Sequence, residues 1–253
     1  LSTSASSGRK AISMRISNRI IRALAERRPV VVIDRQVEGV ASIVPEIDPG
    51  IDQALAHLRG LGHQSVAFIR GSDDSWMSGA RLARLRHLAR GRGISVLEIP
   101  SGVPTLEGGK AALPKVLAAV ATAVLAYSDL MAIGLMRTAI RNEIDVPGEL
   151  SIVGFDDISG ADWTTLPLTT IRTSLAVASD RAVRLLLRET ESQSGTLSSS
   201  ERGWPPITPE LVIRGSVGRA PQLPSGNPTH MKHPSEGNRL PGTVTPIAGE
   251  GEG

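Results

Sequence analysis

The chain has 253 residues, of which 40% are hydrophobic and 21% charged, and a formal net charge of +3. That composition suits a folded protein with a sizeable core, and so mild a charge gives no reason to infer nucleic-acid contact. With no cysteine, disulfides, thiolate nucleophiles and cysteine-based zinc sites are excluded. No apolar run reaches the length of a membrane span, and the first residues lack the apolar segment of a secretory signal, so a cytoplasmic protein that meets no membrane is expected.

In chain order, Ile20, Ile21, Leu24 and Ala25 recur at helical spacing, which predicts a helix over Ser17 to Arg27. The run from Pro29 to Asp34 is β-branched throughout and suits a strand buried on both faces. Glu46 to Gly62 carries a helix signature: Asp48 is placed to cap, Pro49 to occupy the first turn and Gly62 to stop it. His57 and His63 read as packing and capping residues, because no third ligand lies nearby in sequence and their spacing fits no common zinc pattern. Metal and cofactor are both expected to be none. Ser65 to Ile69 is a strand, Gly71 to Trp76 a polar loop, and the next helix carries Arg81, Arg84, Arg86 and Arg90, which read as a solvated face.

Strands are further predicted over Ile94 to Ile99 and Thr122 to Tyr127, with a helix from Leu106 to Val120 in which Pro114 demands a kink or a late start. A helix follows over Leu130 to Asn142. Leu150 to Phe155 then reads as a short buried strand, introduced by a Pro-Gly turn and ended abruptly by Asp156 and Asp157. In open α/β sheets ligands bind beyond the carboxyl ends of parallel strands, so these carboxylates are either a site edge or a capped turn. Leu175 to Arg188 is a helix, Glu191 to Pro209 a connection, and Leu211 to Ile213 a last strand. Alternating strands and helices specify an α/β fold with a doubly wound parallel sheet. Trp76, Tyr127, Phe155 and Trp163 all fall at or just after strand ends. Rings beside carboxylates and an arginine suit a small polar ligand such as a sugar, although Tyr127 and Phe155 fit packing equally well. An enzyme is not expected: there is no glycine-rich phosphate loop, no Ser-His-Asp ordering and no metal spacing.

Six motifs in order carry a resemblance: Arg28 to Arg35, His57 to His63, Ala126 to Gly134, Val146 to Asp157, Pro167 to Thr170 and Leu211 to Ser216. Together they resemble the effector-binding core of LacI/GalR-type transcriptional regulators. The resemblance implies a two-lobed, periplasmic-binding-protein-like fold with parallel sheets and three chain crossings, binding a sugar-like small-molecule effector in the cleft. It places a partial N-terminal lobe in residues 1–62, with 169–200 returning to it, and a C-terminal lobe in 63–168 with 205–217; residues 218–253 are expected to be a disordered tail. Members of the family begin with a helix-turn-helix and a hinge helix and read operator DNA as dimers. Neither segment is expected within these residues. Operator DNA is therefore expected to be met only through a helix-turn-helix absent from this chain, with a homodimer in the complete protein and a first lobe that is incomplete here.

Carried over position by position, the resemblance assigns the effector contacts to Asp48, Arg81 and Asp156. Ser128 stands where the family usually has Asn, which has a longer reach. Trp76 and Leu175 supply apolar faces for a ring, with Tyr127 beside them. Arg84 and Ser179 replace small residues common at their positions. A solute-binding protein serving a sugar transporter is the alternative, because it shares the fold.

Overall fold

A computed structural model of the chain describes residues 16–191 and 204–222. The elements run α1 (Asn18–Ala25), β1 (Val31–Ile33), β2 (Ala41–Ile43), α2 (Asp48–Gly60), β3 (Ser65–Ile69), α3 (Trp76–Gly91) and β4 (Ser95–Ile99), and then α4 (Leu106–Ala118), β5 (Ala123–Ala126), α5 (Asp129–Arg141), β6 (Ser151–Asp156), β7 (Thr169–Arg172), α6 (Leu175–Glu191) and β8 (Glu210–Val212). Two sheets result: a parallel pair β1-β2, and a six-stranded sheet in the order β4-β3-β5-β6-β7-β8. The larger sheet is parallel except at its β8 edge, where β7 and β8 run antiparallel.

The main core lies against the larger sheet. Phe68, Leu125, Ile152 and Phe155 are wholly buried on its strands, packed by Leu85 of α3 and by Met131 and Leu135 of α5. Ile51, Leu55 and Leu58 of α2 belong to that same core. The expected boundary at Gly62 is therefore corrected: the chain leaves the smaller sheet after Ile43, and α2, whose apolar stripe needs a large sheet to cover it, packs on the larger one. The expected return point at 169 shifts for a similar reason. β7 pairs with β6 in the larger sheet, so the chain departs only after Arg172. The third crossing is tied to the first, where the Glu46 amide donates to the Ile207 carbonyl at 3.1 Å.

The smaller sheet obeys strand alternation. Val30 and Val32 pack toward Ile21 of α1, while Val31 and Ile33 pack toward Ala178 of α6. Because this sheet has only two strands among the described residues, β1 is half-buried along its length, not buried on both faces as its composition suggested. β2 was not among the sequence-based expectations: Ala41 to Ile43 is too short to show a period.

α4 starts at Leu106, capped by Thr105 Oγ1, which accepts from the Gly108 amide at 3.1 Å, and it continues through Pro114 without a late start. It lies very close to α5. A Cβ on Gly109 would overlap the Met131 carbonyl, and one on Gly134 would overlap the Leu106 carbonyl. Only glycine permits that approach.

The segment after β8 is fastened to the sheet. The buried His63 ring joins Thr122 Oγ1 at 2.8 Å and the Gly218 carbonyl at 3.1 Å, the Gly218 amide donates to Ser151 Oγ at 3.0 Å, and the Ala220 amide donates to the Leu61 carbonyl at 2.9 Å. Residues 218–220 are thus held against the core, contrary to a tail beginning at 218, and 223–253 lie outside the described residues. The described residues up to Pro221 form one compact unit.

Gly134→Ala should lose about 1–3 kcal/mol in urea unfolding, through overpacking against a carbonyl that cannot move away. Gly79→Ala, on α3 with open space around it, should change stability by less than about 1 kcal/mol and in the opposite direction. Equal effects at the two positions would contradict the close helix contact.

Candidate effector site

Three aspartates that end strands share an unusual backbone. Asp34 after β1 has φ 61°, Asp156 at the end of β6 has φ 109° and Asp157 has φ 54°. Non-glycine residues rarely adopt such angles, and strain of this kind gathers at functional sites. Asp34 and Asp156 come from different sheets, and both line one cavity of about 820 Å³.

Arg81 joins them. It lies in α3, which begins where Ser75 Oγ accepts from the Ser78 amide at 3.3 Å, and this capped start sets the register that turns Arg81 inward. Its residue is only 6% exposed. Nη2 donates to Asp156 Oδ1 at 3.1 Å and Nη1 donates to the Tyr127 carbonyl. The guanidinium carbon lies 3.6 Å from the centre of the Phe155 ring and 4.9 Å from that of Tyr127. Tyr127 can sit there because Gly71 leaves room: a Cβ at Gly71 would run into the ring.

Burial pushes the Asp156 carboxyl above its ordinary range; Arg81 acts against that shift, and Asp34 adds to it. Asp34 is likewise raised by burial, with Arg81 opposing. One buried guanidinium therefore serves two desolvated carboxylates. Asp157 is different. Burial pushes against its charge, but Arg172 at 2.7 Å and Arg214 at 2.7 Å together hold its carboxyl below the usual range. The adjacent aspartates thus face separate partners, one in the cavity and one in a surface ion-pair group.

Asp129 opens α5 and also lines the cavity. It is fully buried, accepting from Thr170 Oγ1 at 2.5 Å and from the Ile158 amide at 2.8 Å, and so ties α5 to β7 and to the loop after β6. Burial raises its pKa to about 6; the two hydrogen bonds oppose this, and Asp156 and Asp157 reinforce it. Next to it, Ser128 stands at the N-cap but makes no capping bond, and its hydroxyl is buried without a hydrogen-bond partner at the cavity wall. An N-cap serine that does not cap leaves its hydroxyl available to something in the cavity.

Of the residues assigned by sequence, Trp76, Arg81, Tyr127, Ser128 and Asp156 line the cavity. Asp48 and Leu175 are not among its lining residues. Asp48 is the first residue of α2 and engages Arg84 with both oxygens, and Ile47, not Asp48, occupies the N-cap. Arg84 therefore has a partner that a small residue at its position could not offer. Leu175 is 61% exposed at the start of α6. Trp163 is 81% exposed and does not line the cavity either. The acidic residue contributed by the smaller sheet is Asp34. The signal for it was present: it ends a β-branched run just as Asp156 ends Ile152 to Phe155. The arginines of α3 are not simply solvated: Arg81, Arg84 and Arg86 each hold a carboxylate.

Residues 55–217 match the model of the periplasmic binding protein-like domain. The chain belongs to this family. Within it, its relatives are LacI/GalR-type regulators. The regulator MalR of Streptomyces coelicolor is 32% identical over 208 residues, covering 79% of this chain and 59% of MalR. A LacI-family regulator from Mycobacterium smegmatis superposes with a TM-score of 0.70 at 26% identity, over 82% of this chain and 77% of that one. A sugar-binding LacI-family regulator from Escherichia coli, solved in complex with phosphate, gives a TM-score of 0.65 at 26% identity, over 81% and 74%. These relatives are transcriptional regulators, not transport proteins. The chain spans a little over half the length of the curated relatives it matches. No described helix is long and apolar enough to cross a membrane, and among the described residues no cluster of His, Asp and Glu could hold a metal ion.

The Asp129 carboxyl makes a testable contribution to the stability of this LacI-type core. The folded protein holds the proton more tightly than the unfolded chain does. The resulting stabilisation is fully present below pH 3.8 and is lost as pH rises through about 6. Urea unfolding of Asp129→Asn and of the parent should therefore diverge in the variant's favour by roughly 2–3 kcal/mol as pH rises from about 4 to about 7. A pH-independent difference would show that burial does not disfavour the charge.

Proposed function

We propose that this chain is the effector-sensing core of a LacI-type transcriptional regulator, and that a small sugar-like metabolite binds in the cavity between the two sheets. The observation that carries this reading is the convergence of Asp34 and Asp156, each on a strained strand end of a different sheet, on the buried Arg81. Carboxylates accept from hydroxyls, a guanidinium donates to ring or hydroxyl oxygens, and the exposed Trp76 offers a flat face to the apolar side of a ring. The sugar-binding relative from Escherichia coli supports the same ligand class.

A ligand held from both sheets favours the arrangement that brings them together, and shifts the equilibrium by its difference in affinity for the two forms. In the complete protein, acting in the cytoplasm as a homodimer, that shift would alter affinity for operator DNA read by a helix-turn-helix segment. The protein senses a ligand; it does not transform one.

D-ribose, D-glucose, D-galactose and maltose screened by thermal shift, and then by calorimetry, test this reading. At least one should raise the melting temperature. Arg81→Ala, Asp156→Ala and Asp34→Asn should each weaken it about tenfold or more, as expected for losing a charge-assisted hydrogen bond. Asp48→Ala should leave affinity unchanged. No response to any of the four sugars would overturn the sugar reading, and full affinity in Arg81→Ala would overturn the site.

A further inference from the structure

The smaller sheet is joined to the larger one by three short passages of chain: residues 44–47 between β2 and α2, 173–174 between β7 and α6, and 208–209 between Ile207 and β8. Any turning of one sheet against the other has to be absorbed in the backbone of these few residues, because the packed elements on either side move as rigid bodies. What braces the passages therefore sets how far the sheets can turn. The second and third lie side by side. Arg172, the last residue of β7, stands opposite Glu210, the first of β8, and its Nη1 donates to Glu210 Oε1 at 3.0 Å.

Asp157 joins this group from the neighbouring strand end. Its Oδ2 accepts from Arg172 Nε at 2.7 Å and its Oδ1 from Arg214 Nη2 at 2.7 Å. The two arginines are not equivalent. Arg214 is anchored to the larger sheet, where Nη1 donates to the Leu168 carbonyl at 2.8 Å and the Arg214 amide donates to Thr169 Oγ1 at 2.9 Å. The Arg172 side chain is 46% exposed and marks the point at which the chain departs for α6. Asp157, itself largely buried, thus spans from a fixed anchor to the residue of departure. Its backbone is held at φ 54°, an angle that persists where surrounding contacts over-determine it.

We propose that Asp157 is a positioning residue of the hinge: by holding Arg172 against Arg214 it fixes the second and third passages to the end of β6, and without it the smaller sheet turns through a wider range against the larger one. An ion pair within the larger unit has no such reach. Asp52 and Arg92, joined by contacts of 2.8 and 2.6 Å, tie α2 to the end of α3, and both helices pack on the larger sheet. The brace starts one residue from Asp156, which lines the cavity, but it needs no bound molecule to act.

The chain has no cysteine, so Ala23→Cys on α1 and His87→Cys on α3 introduce spin labels at two exposed sites, one packed with each sheet. Double electron-electron resonance on the full labelled chain, with no ligand added, reads the spread of distances between the sheets. Asp157→Asn should broaden that distribution and Arg172→Gln should do the same, whereas Asp52→Asn, which breaks a comparable pair, should leave it at the parent width. Arg172→Gln, at a half-exposed side chain, serves where Asp157→Asn does not fold. A parental distribution in either folded variant, even with stability lost in urea, would make Asp157 an ordinary structural pair and overturn the proposal. Equal broadening in Asp52→Asn would overturn it too, as the mark of a general loosening.

Discussion

A guanidinium almost wholly withdrawn from water lies where the ends of β1 and β6 approach each other, and much of the site follows from keeping it satisfied. Burying a charge without compensation is costly, so Arg81 needs a carboxylate, a carbonyl and polarisable ring faces around it. Asp156, the Tyr127 carbonyl and the two rings supply these, and each depends on the larger sheet. Tyr127 and Phe155 end neighbouring strands β5 and β6, so the sheet's parallel register brings their rings to the same edge.

Asp34 adds a constraint from the other sheet. Its carboxylate is desolvated and must share Arg81 with Asp156, so the site holds like charges from two sides. Such a site is ready for hydrogen-bond donors placed between them. Among the described residues lining the cavity, the Ser128 hydroxyl and the Nε atoms of Arg35 and Arg81 are buried without hydrogen-bond partners. Asp129 has both oxygens engaged by protein groups, and its role is to fasten α5 to β7 and to the loop after β6. Because the chain leaves β7 for α6 and the smaller sheet, that fastening lies on the route between the cavity and the crossing.

The membership in the LacI/GalR line and the geometry support each other, but they bear on different questions. Family likeness speaks to the fold and, within the proposed function, to the class of effector. The side chains decide how it would be gripped here: a serine at the N-cap of α5, an arginine at 84 occupied by Asp48, and an arginine at 81 held by rings.

The sequence alone determined the alternation of strands and helices, because burial periodicity and the turn residues at element ends are local signals. It also determined the six ordered motifs, and it marked Arg81, Ser128 and Asp156 as residues of interest. It misplaced the acidic partner. Asp48 and Asp34 both stand at element boundaries, and only tertiary packing shows that α2 lies on the larger sheet, which sends Asp48 to Arg84 and leaves Asp34 facing the cavity. The lobe boundaries were hidden for the same reason, since an amphipathic helix does not state which sheet it covers. Desolvation, orphaned donors and the stacking of Phe155 on Arg81 are properties of residues far apart in sequence, and none exists until the chain brings them together.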